Sequence, residues 1–75
     1  MLKLNSFYKT STDILYISSY DVTTNRYYGT SSNGSFACRI LRRDEPQFTY
    51  CGSFAFFKPD EIQTYMQSNY PEYFI

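Results

Sequence analysis

Histidine is absent from this chain, and other residues that carry catalysis or bind metals are few. Histidine is the commonest general base and metal ligand in proteins, so its absence excludes a Ser-His-Asp or Cys-His arrangement. The only thiols are those of Cys38 and Cys51, whereas a structural zinc site usually takes four nitrogen or sulfur ligands. We therefore expect structural thiols, no metal, no cofactor and no catalytic residue, and we predict that the protein is not an enzyme.

Glycine is also scarce, and the carboxylates form no catalytic pattern. The three glycines are too scattered to build a loop that cradles phosphate. Two adjacent acid pairs, Asp44-Glu45 and Asp60-Glu61, are explained by a turn and by the start of a helix. Neither pair has a neighbouring motif that would support acid–base chemistry.

The chain lacks any excess of charge and any long apolar run. Seven basic residues balance seven acidic ones, so there is no general attraction to nucleic acid or anionic lipid. No segment approaches the roughly 20 apolar residues of a membrane-spanning helix, and the start, MLKLNSFYKT, lacks the apolar region of a signal peptide. Two cysteines do not make a disulfide framework. We expect one cytoplasmic domain, residues 1–75, with no membrane partner.

Aromatic residues are what the chain has in abundance. Nine tyrosines and seven phenylalanines make up 21% of the residues. Large rings bury much apolar area each, which helps a small core. They exceed what one small core needs, so several should lie at the surface, where tyrosine is enriched in protein interfaces.

The segment 26–43, RYYGTSSNGSFACRILRR, predicts a β-hairpin around which the other elements are organised. Asn33-Gly34 is a strong signal for a two-residue type I′ turn, because both residues tolerate positive φ. That turn would place Tyr28 opposite Arg39.

Alternation along this hairpin separates an inner face from an outer face. The inner face should carry the better core residues: Tyr27, Gly29, Phe36, Cys38 and Ile40. The outer face mixes aromatic and cationic groups and should meet solvent or a partner: Arg26, Tyr28, Thr30, Ala37, Arg39 and Leu41.

Three further strands are expected, over Leu2–Tyr8, Ile14–Tyr20 and Gln47–Phe57. The second is apolar on both faces and should be central or half covered. A three-residue loop, Asp44–Pro46, would pair the last strand with the second strand of the hairpin. That pairing buries an even-numbered set, Phe48, Tyr50, Phe54 and Phe56, and puts Cys38 and Cys51 on opposite faces of the sheet. A bulge near Gly52 would change this register.

A helix is predicted to begin at Lys58-Pro59 and to end near Asn69, before Pro71. Proline suits the first helical position, and the acids that follow it suit the helix dipole. The spacing of Ile62, Tyr65, Met66, Asn69 and Tyr70 marks one helical face, which should pack across the buried face of the sheet. The aromatic tail should tuck under the helix or reach a neighbouring chain.

The predicted fold class is α+β: a curled antiparallel sheet of four to five strands with one C-terminal helix on one face. A meander and a barrel-like closure both remain open, as does the order of the first two strands.

The leading hypothesis for function is a small binding module that acts through a protein–protein interface, either as an inhibitor or as a homodimer. Small accessory proteins of viruses and phages, which occlude a host machine, share this size and aromatic surface. The alternative is a single-stranded nucleic-acid-binding β-domain that uses its arginines and tyrosines. A solvated face with Tyr28 stacked on Arg39 is the third reading. The candidate partner-binding residues are Arg26, Tyr28, Arg39, Leu41, Arg42, Arg43, Tyr73 and Phe74.

Overall fold

The computed structural model describes residues 1–56 and 58–74. The strands are β1 (Ser6–Lys9), β2 (Ile14–Asp21), β3 (Arg26–Ser31), β4 (Gly34–Cys38) and β5 (Thr49–Ser53). The helix α1 spans Pro59–Asn69, and short 3-10 helices span Arg42–Gln47 and Pro71–Tyr73. Phe57 and Ile75, which the sequence assigns to the last strand and to the tail, lie outside the described residues.

The strands form one open antiparallel sheet in the order β4-β3-β2-β1-β5. This confirms the predicted fold class, and among the described strands the sheet does not close into a barrel. The strand β2 lies in the middle of the order, as its two apolar faces predicted. No helix in the described ranges is both long and apolar enough to cross a bilayer.

The predicted partner of the last strand is wrong, because β5 pairs with β1 at the far edge of the sheet. Residues Arg42–Gln47 form a 3-10 helix where the sequence suggested a tight loop. Ile40 and Phe48, on either side of it, pack into one cluster with buried residues of three strands. The connection therefore runs across a face of the sheet, and apolar contacts hold it there.

The hairpin turn lies one residue earlier than predicted. Ser31 pairs with Gly34, so the turn residues are Ser32 and Asn33, and positive φ is confined to Gly34 at 116°. The Ser31 hydroxyl accepts the Asn33 N–H and donates to the Gly34 carbonyl oxygen, both at 3.1 Å. The pairing shifts by two residues, so the assignment of residues to the two faces survives.

Each face of the sheet carries a buried cluster, because the Phe7 side chain of β1 lies on one side and the Tyr8 side chain on the other. The first cluster contains Leu2, Tyr8, Ile17, Tyr27 and Ile40. The second contains Phe7, Ile14, Tyr16, Ile62 and Met66. The helix therefore packs on the face opposite Cys38 and Ile40, which corrects the prediction that it covers their face.

The predicted helix is confirmed in its bounds and in its buried face. It begins with Pro59 at its first position and ends at Asn69. Ile62 and Met66 are buried, and Tyr65 and Tyr70 are packed against the same cluster. Tyr73 and Phe74 of the tail pack against the same cluster, which agrees with one of the two predicted positions of the tail.

The predicted even-numbered face of the last strand does not form. Phe48 joins the first cluster and Phe56 the second, while Tyr50 and Phe54 remain 47% and 41% exposed. The reason is an irregularity at Cys51 and Gly52. Cys51 has no partner in the ladder with β1, and Gly52 has φ of 140°. A bulge of this kind interrupts the alternation on which the prediction rested.

The carboxylate of Asp13 joins the β1–β2 turn to the hairpin turn. Its Oδ1 accepts the Ile14 N–H at 2.7 Å, the Ser32 N–H at 3.4 Å and the Ser32 hydroxyl. We expect Asp13→Ala to lower the free energy of unfolding by about 1 to 3 kcal/mol, because three partly buried donors lose their acceptor. Urea denaturation measures this. Asp21→Ala removes an equal charge and one bond to Thr23, so an equal loss there would contradict the prediction.

Candidate protein interface

The helix covers only part of its side of the hairpin. At the turn end, Gln63 Nε2 donates to the Ser31 carbonyl oxygen at 2.7 Å. Further from the turn, Tyr28 lies opposite Ala37, and both side chains are exposed. The outer face of the hairpin therefore stays open at the end where the arginines lie.

Two adjacent tyrosines show how β3 separates its two faces. The Tyr27 side chain is 2% exposed, and its hydroxyl accepts the Leu2 N–H at 3.1 Å. Burial raises the pKa of the Tyr27 phenol, so it remains a neutral anchor. Tyr28 on the opposite face is 37% exposed. The buried Tyr27 ring thus anchors β3 to the sheet, while the Tyr28 ring is exposed to solvent on the opposite face.

Arg26 and Arg39 come directly beyond the last pair of the hairpin ladder. That pair is Tyr27 with Cys38, so Arg26 precedes it in β3 and Arg39 follows the end of β4. Arg39 Nη2 donates to the Thr24 carbonyl oxygen at 3.4 Å, which leaves most of the guanidinium donors of Arg39 to other partners. Positive charge at this end of the hairpin favours a negatively charged ligand.

No arginine in the described residues forms an ion pair. The salt bridge found there joins the Met1 amine to Glu45 at 3.2 Å. Asp21, the cross-strand neighbour of Arg26, uses Oδ1 to accept the Thr23 N–H. Arg26 thus faces a carboxylate across the ladder, whereas Arg39 faces none among the described residues and its positive charge is available for an external partner.

Leu41, Arg42 and Arg43 continue directly from the end of the hairpin. Leu41 is 40% exposed and precedes the 3-10 helix, in which Arg42 and Arg43 are exposed at the first two positions. Ile40 before them is buried and fastens this segment to the sheet. These three residues adjoin Arg39 in the chain, but the connection crosses the face of the first cluster, opposite the face that carries Tyr28.

Tyr73 and Phe74 belong to a different part of the molecule. Both are half-buried and pack against the cluster around Phe7 and Met66. None of the arginines belongs to that cluster. The structure therefore does not join the aromatic tail to the arginine group.

The proposed stacking of Tyr28 on Arg39 does not form. Tyr28 lies opposite Ala37, because the turn occurs one residue earlier than predicted. The cation–π contacts of the described residues use lysines instead: Lys3 over Tyr50 at 5.0 Å and Lys9 over Tyr70 at 5.3 Å.

The two cysteines lie on opposite faces, as predicted, although the pairing behind that prediction was wrong. Cys38 packs against the first cluster and Cys51 against the second, and both are free thiols. Burial raises the pKa of the Cys38 thiol, which keeps it protonated at neutral pH and weakens it as a nucleophile. In residues 1–56 and 58–74, no group of three acidic or thiol side chains could hold a metal ion.

One further surface was missed by sequence reasoning. A shallow groove of about 420 Å³ runs between Phe56 and the exposed side of α1. It is lined by Phe56, Asp60, Glu61, Thr64, Tyr65, Ser68 and Asn69. The sequence predicts the polar side of α1 that lines this groove. It does not predict that Phe56 lies beside the helix, because that position depends on the irregular end of β5.

None of the family models, curated proteins or solved structures compared with this chain matches it.

Proposed function

We propose that this protein is a small non-enzymatic binding module that acts through a protein–protein interface on the open side of the β3–β4 hairpin. The observation that carries the proposal is the combination of exposed Tyr28 with arginines that form no ion pair in the described residues. Tyrosine and arginine are the residues that dominate binding energy in protein interfaces. The module would act by covering a surface of its partner.

The rigidity of this surface supports the proposal. The backbone at Tyr28 is held by its neighbour Tyr27, which is buried and whose ring is packed against Tyr20 with centroids 4.7 Å apart. A strand whose backbone is already ordered loses less conformational freedom when a partner binds. The surface is therefore suited to presenting a preformed group of contacts.

The test uses peptides selected from a displayed random library against the immobilised protein. We expect the double variant Tyr28→Ala with Arg39→Ala to bind the selected peptides with about 30-fold lower affinity. This loss corresponds to roughly 2 kcal/mol of binding free energy from central contacts. Fluorescence anisotropy of labelled peptides measures the affinity, and circular dichroism checks that the double variant remains folded.

The matched control is Tyr50→Ala with Lys58→Ala. It removes one exposed tyrosine and one positive charge from elsewhere on the surface. This control should change peptide affinity by less than threefold, about 0.7 kcal/mol. Equal effects of the two double variants would overturn the assignment of the interface to the hairpin.

Nucleic acid is tested in the same assay with labelled single-stranded and duplex oligonucleotides. Contacts to phosphates make affinity fall steeply with salt. Sub-micromolar, salt-sensitive binding that is lost in Arg39→Ala would replace the protein-interface proposal with a nucleic-acid one. We expect no such binding, because the net charge of the chain is zero.

A further inference from the structure

The open sheet has two edges, and the edge strand β4 contains no proline, no charged residue and no bulge. Natural edge strands are usually protected by proline, charged side chains or bulges. The sequence of β4, GSFAC, has no proline and no charge, and its pairing with β3 runs without irregularity. Among the described residues, no strand pairs with its outer side.

The edge formed by β5 is protected by comparison. Its ladder with β1 shifts register between Phe7 and Tyr8, and Gly52 has φ of 140°. Such a bulge twists a strand away from a regular ladder and blocks the approach of another strand. The two edges therefore differ, and β4 is the one that can accept a strand.

The outward-facing backbone groups of β4 follow from the turn. A two-residue turn makes its flanking residues, Ser31 and Gly34, a hydrogen-bonded pair. Bonded and non-bonded pairs alternate along an antiparallel ladder, so Phe36 and Cys38 bond to β3. The N–H and C=O groups of Ser35 and Ala37 then point away from β3, toward an added strand.

Charge at the end of β4 selects the chemistry of that strand. Arg39 directly follows β4, and Arg26 precedes Tyr27, the residue of β3 that pairs with the last residue of β4. Both side chains share a face with Tyr28 and Ala37. An added strand with an acidic residue beside Arg39 can accept charge-assisted hydrogen bonds from its guanidinium.

A second copy of this chain fits the same edge less well. If two β4 strands pair antiparallel about Phe36, the residue brought opposite Arg39 is Asn33. That arrangement gives the arginine an amide and leaves its charge without a carboxylate partner. A partner that supplies an acidic side chain is therefore the better occupant.

We infer that β4 is a strand-addition site for an acidic extended segment of a partner protein. Main-chain hydrogen bonds to Ser35 and Ala37 hold the added strand. One of its acidic side chains lies beside Arg39, and an apolar side chain lies beside Ala37, while Arg26 and Tyr28 lie one strand further in, on β3. This inference rests on the proposed function and gives it a binding mode and a partner chemistry.

The first experiment compares two displayed libraries of alternating β-forming peptides on the full chain. One library carries glutamate and the other lysine at the same position near one end, and both are otherwise randomised alike. We expect at least tenfold enrichment of the glutamate library over the lysine library. Equal enrichment, or none in either, would overturn the acidic partner.

The second experiment measures amide hydrogen exchange by NMR on the unmodified protein, with and without a selected glutamate peptide. In the free protein the amides of Ser35 and Ala37 should exchange fast, while those of Phe36 and Cys38 are protected. Bound peptide should slow exchange at Ser35 and Ala37 by at least tenfold. Unchanged exchange at both amides would overturn strand addition without any variant that might misfold.

Ala37→Pro separates failure of this inference from failure of the proposed function. Proline removes the outward N–H, so peptide affinity should fall at least tenfold in a variant that circular dichroism shows to be folded. If affinity falls in Tyr28→Ala with Arg39→Ala but not in folded Ala37→Pro, the interface stands and strand addition fails. If neither variant changes affinity, both proposals fail.

Dimerisation through β4 without peptide, measured by sedimentation, would assign the edge to a second copy instead.

Discussion

Gly29→Ala should destabilise this protein by roughly 3 kcal/mol or more, at the upper end of what overpacking costs. A Cβ atom at position 29 would lie 1.9 Å from the Tyr16 carbonyl oxygen and 3.0 Å from the Phe36 ring. The first contact is with backbone of the central strand, so relief requires β2 or β3 to move. Ser18 is an extra residue in β2 at this point, which brings the two backbones close together.

The measurement is equilibrium urea denaturation with a thermal melt. A domain of this size has roughly 4 to 11 kcal/mol of stability in total, so the variant should lose a large part of it. The melting temperature should fall by about 12 °C or more.

Gly34→Ala is the matched control for this prediction. Gly34 has φ of +116°, and nothing lies within 4 Å of an added Cβ. The cost there is backbone strain alone, about 1 to 2 kcal/mol. If Gly29→Ala lowered the free energy of unfolding no more than Gly34→Ala, the prediction would be wrong. The strands β2 and β3 would then be able to move apart at Ser18 without much cost.

Phe7→Ala should cost roughly 3 to 5 kcal/mol, the usual range for deleting a buried phenylalanine. The Phe7 side chain is 0% exposed and joins the sheet to the helix. Its ring lies 4.8 Å from that of Tyr16 and 5.0 Å from that of Tyr65, centroid to centroid. Three more rings contact it at 5.9 Å: Phe54, Phe56 and Tyr70.

Near-ultraviolet circular dichroism and urea denaturation together test this prediction. Removal of the central ring should reduce the near-ultraviolet circular dichroism signal of the cluster. It should also lower the free energy of unfolding. Phe7→Leu refills much of the cavity and should recover a large part of the loss.

Phe54→Ala is the control, because Phe54 contacts the rings of Phe7 and Tyr65 yet is 41% exposed. The Phe54 side chain buries less apolar area than that of Phe7. Its deletion should therefore lower the free energy of unfolding by only about 1 kcal/mol. If Phe54→Ala proved as costly as Phe7→Ala, the helix would be held by the rim of the cluster rather than by its centre.

The candidate site was predictable to the extent that it depends on alternation. Arg26, Tyr28 and Arg39 were placed on one face by their spacing, and a shift of the turn by one residue moved the pairing by two. A shift of two keeps the faces, so the assignment survived while the pairing of Tyr28 with Arg39 did not. Tyr73 and Phe74 could not be placed in the same way, because the position of a tail depends on what it packs against.

The sequence by itself determined the elements: Pro59 and the acids after it set the start of the helix, and the apolar faces of Ile14–Asp21 made β2 central. These features are local, since backbone preference and side-chain period act over a few residues. Only the tertiary structure decided that β5 lies beside β1. That choice depends on Ile40 and Phe48 packing against residues distant in the chain, and on irregularities at Ser18 and Gly52. Contacts between distant segments leave no periodic trace in the sequence, and it is this packing that leaves β4 at an open edge beside the arginines.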